Sequence, residues 1–114
     1  MRKFIKVMKA LSDPNRVKMV KLLQHKVMCV CEIQAALGLA QSTVSKHLKI
    51  LEEAGLITYH KDKLWVNYSL ADGTDSPYAA NLLGSLKHWL DEDPGLAEIV
   101  EKLPTIRRED ICGS

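Results

Sequence analysis

Cys29, Cys31 and Cys112 are the side chains of this 114-residue chain best equipped for chemistry. Cys29 and Cys31 are separated by Val30 alone, at the head of a segment that reads as a helix. Soft, thiophilic ions choose thiolate ligands, and a helix N-terminus favours the thiolate form. Residues i and i+2 lie about 200° apart on a regular helix. Both sulfurs therefore reach one ion only where this turn is unwound or not yet helical, and binding there would deform the helix. The other reading is that both cysteines are small buried hydrophobes at a helix start. An odd number of cysteines in a reducing compartment argues against a disulfide framework.

A second group of residues has the chemistry of nucleic-acid contact. On a helix starting at Ser42, residues Ser42, Thr43, Ser45, Lys46 and Lys49 share a face of roughly 160°, with Val44, Leu48 and Leu51 opposite. Short hydroxyl side chains let a helix backbone approach DNA and bond phosphates or base edges, and lysine neutralises phosphate. The alternative for that face is an ordinary solvated helix surface. His47 falls toward the buried side by angle, which suits either a structural histidine bonded to a neighbouring element or a DNA contact.

Catalytic groupings are missing. A phosphate-transferring cysteine wants a phosphate-cradling loop and an arginine six residues on, but Ala35 and Leu37 stand there. No paired carboxylates or Ser/His/Asp set falls on a plausible pocket. The chain reads as a binding protein, not an enzyme.

The elements that must position these residues follow from periodicity. Phe4, Val7, Met8 and Leu11 have the i, i+3, i+4, i+7 spacing of an amphipathic helix over residues 2–11. Ser12-Asp13-Pro14 supplies a turn, a cap and a first-turn proline, predicting a mostly buried helix from Pro14 to Gln24. Residues 31–38 predict a short helix ended by Gly38. Leu39-Ala40-Gln41 reads as a turn, and 42–54 as a helix stopped by Gly55. Two short helices joined this way are a helix-turn-helix signature. Residues 56–60 and 64–70 predict a β-hairpin with Lys61-Asp62-Lys63 between them. Lys61 and Lys63 would reach DNA backbone or minor groove; their other use is protection of a sheet edge. A helix over 76–91 follows, with Leu82, Leu83, Leu86, Trp89 and Leu90 along one side. Pro94-Gly95 breaks it, and a short helix over 96–103 comes next. This order is mainly α with a β-hairpin wing, a winged helix-turn-helix. The expected division is a DNA-binding and dimerisation domain over 1–104 and a tail over 105–114.

Charge is distributed unevenly. Residues 1–70 hold 12 Lys/Arg against 5 Asp/Glu, and residues 71–114 hold 4 against 9. A basic front beside an acidic end suits a polyanion on the first segment, though a small protein also reaches such asymmetry by chance. No apolar run approaches the roughly 18–20 residues of a membrane span. The first residues are too interrupted by charge for a signal peptide. The expectation is a cytoplasmic protein with no membrane partner.

Three stretches resemble one family: Ala10-Leu11-Ser12-Asp13-Pro14-Asn15-Arg16, Gln41-Ser42-Thr43-Val44-Ser45-Lys46-His47-Leu48 and Leu51-Glu52-Glu53-Ala54-Gly55-Leu56-Ile57. Together they resemble the arsenic/metal-responsive repressors of ArsR/SmtB type, small homodimeric winged-helix regulators, over about residues 5–92. The resemblance adds Gln41 and His47 to the DNA-facing set. Cys29-Val30-Cys31 is similar to the Cys-Val-Cys element by which arsenic-sensing members, and some cadmium/lead-sensing ones, bind their ion. The resemblance thus implies a repressor released from its operator by trivalent arsenic, as arsenite, or by antimonite, with no organic cofactor. A cadmium/lead-responsive or thiol-oxidation-responsive repressor is the alternative.

Departures from the family pattern narrow the ion. Gln34 stands where some arsenic sensors carry a third cysteine. No cysteine precedes Cys29 to complete a four-thiolate site. Residues 76–92 offer only His88 toward the zinc/nickel pattern of two His, Asp and Glu. Cys112 is then the candidate third thiol, carried in by the tail from either subunit, its alternative being an uninvolved terminal cysteine. The resemblance also implies a dimer through the first helix and residues 76–91, with Leu82, Leu83, Leu86 and Trp89 at the interface; alternatively they cover only their own core. A twofold dimer places two recognition helices about one DNA turn apart and calls for an imperfectly palindromic operator.

Overall fold

The computed structural model describes residues 1–107 and 111. Among the described residues, six α-helices and a three-stranded antiparallel sheet follow in the order α1 (Arg2–Ala10), α2 (Pro14–Leu23), β1 (Met28–Cys29), α3 (Val30–Leu37), α4 (Gln41–Glu53), β2 (Ile57–Asp62), β3 (Trp65–Leu70), α5 (Pro77–Leu86) and α6 (Pro94–Lys102). A single 3₁₀ turn, Leu103–Thr105, follows α6. This is the winged helix-turn-helix that the periodicity predicts.

Local chemistry sets most boundaries. Asp13 caps α2, its Oδ1 accepting the backbone N–H of Asn15 at 2.8 Å and of Arg16 at 3.2 Å, and Pro14 fills the first helical position, where no N–H is needed. The buried face of α2 is Met19, Val20 and Leu22, none of them exposed. Gly38, at φ 69°, ends α3 in the left-handed region where a Cβ is penalised. Gly55, at φ 80°, ends α4 in a Schellman motif: Gly55 N–H donates to the Glu52 carbonyl at 3.0 Å and Leu56 N–H to the Leu51 carbonyl at 3.1 Å. Leu51 and Leu56, both wholly buried, make the apolar contact that accompanies such an ending.

The core runs through the middle of the protein, from Val7 and Ala10 of α1 through Met19, Val20 and Leu22, Ile33 of α3, and Val44, Leu48 and Leu51 of α4, to Ala79 and Leu83 of α5. It locks α4 against α2 and α3, so the polar face of α4 is presented on a fixed support.

Three expectations are corrected. The sheet has a third strand: Met28 and Cys29 pair with Tyr68 and Asn67 of β3, which makes β3 central and gives the order β1-β3-β2. The helix expected over 76–91 ends at Leu86. Lys21 Nζ, on a side chain only 3% exposed, donates to the carbonyls of Leu86 at 2.6 Å and Trp89 at 2.8 Å and pairs with Asp91 Oδ1 at 2.9 Å. A cation at a helix C-terminus supplies the bonds that a further turn would have supplied, and Leu90 turns to φ 67°, which no continuing α-helix contains. Trp89 therefore lies off the helix. Pro94 opens α6 instead of preceding it, because Asp93 caps the helix through Leu96 N–H at 3.0 Å.

Candidate nucleic-acid interface and thiol site

The polar face of α4 has the composition of a reading face and the burial to match. Gln41, Ser42, Ser45, Lys46 and Lys49 are exposed, Thr43 and His47 are half-buried, and Val44, Leu48 and Leu51 are fully buried opposite them. Ala40 is the N-cap and has no side-chain acceptor for the first N–H groups of the helix. Such a helix start, carrying partial positive charge, is suited to a phosphate.

His47 is tied to the scaffold on one side of its ring. Arg16 Nη1 donates to His47 Nδ1 at 3.1 Å, while Arg16 Nε donates to the Ala10 carbonyl at 2.7 Å and Nη2 to the Lys9 carbonyl at 3.2 Å. Because a guanidinium only donates, Nδ1 is the acceptor and the neutral ring carries its proton on Nε2. Arg16 thus staples the end of α1 to the middle of α4. Sequence reasoning missed it; the nearest signal was the Asp13-Pro14-Asn15-Arg16 stretch, where Arg16 is the only guanidinium.

The wing is the β2–β3 hairpin. Lys61 and Lys63 are exposed on it, and Lys63 with Leu64 makes the two-residue loop closed by the Asp62–Trp65 pair. Lys63 has φ 58° and Leu64 is 88% exposed. β2 is an edge strand, so the two lysines also stand where edge protection is useful.

The thiol pair straddles the junction between sheet and helix. Cys29, 4% exposed, is both the last residue of β1 and the N-cap of α3, with extended backbone at φ −90° and ψ 171°. Cys31, half-buried, is the second helical residue. The condition set by the 200° separation is met at Cys29, which is not helical. Cys29 and Glu32 form a capping box: the Cys29 side chain faces the Glu32 backbone N–H, and Glu32 Oε1 accepts the Cys29 N–H at 3.0 Å. Glu32, 3% exposed, pairs through Oε2 with Lys26 Nζ at 3.3 Å, and the same ammonium donates to the Ile106 carbonyl at 3.0 Å. Sequence reasoning missed Glu32 and Lys26, although Cys29-x-x-Glu32 has capping-box spacing. Cys112 lies outside the described residues.

The donor set suits one class of ion better than another. Among the described residues no three His, Cys, Asp or Glu side chains gather as a metal site. A tetrahedral four-ligand site is therefore not assembled by them, and Cys29 and Cys31 supply two soft sulfur donors of the kind that thiophilic ions take.

Leu83 and Leu86, 7% and 6% exposed, belong to the core of the chain itself. Leu82 is half-buried and Trp89 is 53% exposed. A different apolar surface is left on α1 and the start of α5: Phe4, Ile5, Met8 and Tyr78 are each about two-fifths exposed, and the Phe4 and Tyr78 rings meet edge-on at 5.5 Å.

Residues 13–59 match the family model described as "Bacterial regulatory protein, arsR family". The chain is 33% identical over 100 residues to the arsenical resistance operon repressor of Escherichia coli, covering 87% of this chain and 83% of that one. It is 40% identical over 68 residues to a cadmium resistance transcriptional regulatory protein CadC homolog of Staphylococcus aureus, covering 59% and 56%. Among solved structures it resembles the homodimeric winged helix-turn-helix DNA-binding domain of Mb0332 from Mycobacterium bovis, with TM-score 0.66, 25% identity, and 81% and 82% of the two chains covered.

Proposed function

Because the chain belongs to the arsR family of bacterial regulatory proteins, which are DNA-binding regulators and not enzymes, we propose that it is a homodimeric repressor released from its operator by trivalent arsenic. The observation that carries the ion assignment is the position of Cys29 at the extended N-cap of α3, two residues before Cys31. The names of two relatives point to arsenical and cadmium resistance. Arsenic is favoured over cadmium because, among the described residues, two thiols and no gathered fourth ligand suit a pyramidal ion.

In this reading α4 enters the major groove, about 12 Å wide, as a helix of about that diameter fits it. Gln41, Ser42, Thr43 and Ser45 face base edges and phosphates, Lys46 and Lys49 neutralise phosphate, and Lys61 and Lys63 reach the flanking backbone from the wing. His47 is oriented by Arg16 so that Nε2–H is its outward donor. The second protomer docks through Phe4, Ile5, Met8 and Tyr78, with Leu82 and Trp89 at the margin, and an imperfect palindrome matches the twofold axis.

The ion acts through Cys29. Its residue caps α3, which packs on α4, and pairs with Asn67 of the wing's central strand. Drawing Cys29 toward Cys31 around one ion disturbs the helix start and the wing together. A coupling of about 1–3 kcal/mol suffices for a useful switch. Cys112 is the proposed third thiol, and the bond from Lys26 to the Ile106 carbonyl supports this by holding the approach to the tail beside Glu32.

The test is fluorescence anisotropy of the reduced protein on DNA from its own upstream region, titrated in parallel with arsenite, cadmium and zinc. Release at near-stoichiometric arsenite with little response to zinc is expected. Binding with no release by arsenite removes the proposal; release by cadmium in its place moves the assignment to the alternative ion.

A further inference from the structure

Asn67 sits at the centre of the sheet as a buried polar residue. It occupies β3, directly opposite Cys29 on one side and His60 on the other. Residues directly opposed in an antiparallel pair project to the same face with their Cβ atoms about 4.5–5.5 Å apart. Cys29 and Asn67 are therefore side-by-side neighbours, and both are buried, at 4% and 5% exposure. The Asn67 Oδ1 atom has no hydrogen-bond donor among the described residues. A buried amide oxygen without a donor is costly, and an apolar residue of the same shape would cost less. An asparagine here suits a ligand that brings its own donor to the thiol.

We propose that Asn67 is a ligand-binding residue of the thiol site: its Oδ1 accepts a hydrogen bond from the hydroxyl that arsenous acid retains when held by Cys29 and Cys31. This rests on the effector reading above and adds a polar anchor to it. Arsenous acid has three hydroxyls. Exchange of two of them breaks two As–O bonds, forms two As–S bonds, and releases two waters that carry away the two thiol protons. Arsenic stays trivalent throughout, so no oxidant or reductant is needed. One As–OH remains, and that hydroxyl is the donor for Asn67. A third thiol, Cys112, displaces it as a third water that carries away the thiol proton, so Asn67 governs the two-thiolate complex.

The pair of ligands that tests this differs in one substituent. Methylarsonous acid carries a methyl in place of one hydroxyl, so on exchanging its two hydroxyls it keeps no donor. In full-length protein bearing Cys112→Ser, binding of arsenite and of methylarsonous acid is followed by thiolate–arsenic absorption, with and without Asn67→Leu. Arsenite binding is expected to weaken about tenfold in the Asn67→Leu protein, as for loss of one buried hydrogen bond, while methylarsonous acid stays within about twofold. Thermal unfolding should show Asn67→Leu to be at least as stable as its parent, because the donorless oxygen is gone. Unchanged arsenite binding overturns the proposal and leaves the effector reading intact, and so does equal weakening of both ligands, which would mark a structural effect. Failure of the Cys112→Ser parent to bind either ligand, where the unsubstituted chain binds arsenite, overturns this proposal, because the two-thiolate complex would not form; failure of the unsubstituted chain as well overturns the effector reading.

Discussion

The backbone N–H of Cys29 donates to Glu32 Oε1 at 3.0 Å, so one of the two thiols proposed to bind the effector is also the N-cap of the helix that supports α4. A residue with both duties cannot change its side-chain partner without disturbing the start of α3. The same residue pairs with Asn67 in the wing. The two elements proposed to meet DNA, α4 and the hairpin, are therefore both linked to Cys29, one through α3 and the other through β3.

Glu32 should be expensive to remove. It is buried, accepts the Cys29 N–H, and pairs with Lys26 at 3.3 Å. Glu32→Ala leaves a buried donor without its acceptor and the Lys26 ammonium without its carboxylate, a loss of about 2 kcal/mol. Glu32→Gln keeps an acceptor for the N–H and should lose less. Urea unfolding of both variants against the parent checks the order.

Asp13 should give α2 a pH-dependent cap. Desolvation raises its pKa, but the backbone N–H groups of Arg16 and Asn15 together outweigh this, helped by the charge of Arg16, and hold it below its ordinary 3.8. A carboxyl with a depressed folded-state pKa contributes stability that is present above the unfolded value and lost as pH falls through the folded one. Asp13→Ala should therefore cost about 1 kcal/mol near neutral pH. The gap between variant and parent should close as pH falls below 3.8. Thermal unfolding of both proteins across the acid range measures the closing gap.

Lys21 and Asp91 form one ion pair with unequal stakes. Lys21 is 3% exposed on its side chain and Asp91 is 62% exposed. Lys21→Met strands the buried carbonyl of Leu86 and removes the donor from the part-buried carbonyl of Trp89, and should cost about 3 kcal/mol. Asp91→Asn removes only a solvated partner and should cost under about 1 kcal/mol. Chemical denaturation of the two variants separates these values; equal losses would mean that the carboxylate, not the carbonyls, sets the position of Lys21.

This lysine also explains why α5 was less legible in the sequence than α4. The apolar spacing of Leu82, Leu83, Leu86, Trp89 and Leu90 is helical, and nothing near Leu86 signals a stop. The stop comes from Lys21, 65 residues earlier in the chain, whose ammonium reaches the Leu86 carbonyl. β1 was hidden for a related reason: two residues, Met28 and Cys29, cannot display an alternation, and only their pairing to β3 makes them a strand. The elements governed by local signals were readable, as with Asp13-Pro14 before α2, Gly38 after α3 and Gly55 after α4. At the candidate site, the residue types of the α4 face and the thiol pair stood out. Their partners Arg16, Lys26 and Asn67 did not, because each is recruited across the fold.

DNA binding should depend on salt through single lysines. Lys46 and Lys49 are exposed on the polar face of α4. Replacing Lys46 by Ala should weaken binding to all sequences by a similar factor. It should also lower the slope of log K against log salt by about 0.9 for each phosphate that Lys46 neutralises in a half-site. Anisotropy titrations at several salt concentrations read the slope. An unchanged slope would place Lys46 away from the phosphates.

The most direct test of the thiol switch is the double substitution Cys29→Ser/Cys31→Ser in the anisotropy assay. Serine is a good N-cap, so α3 should start as before and the variant should hold operator DNA about as tightly as the parent. It should then fail to leave the DNA at arsenite levels that release the parent fully. Release of the variant at the parent's arsenite concentration would contradict the account, because the effector would then act somewhere other than Cys29 and Cys31.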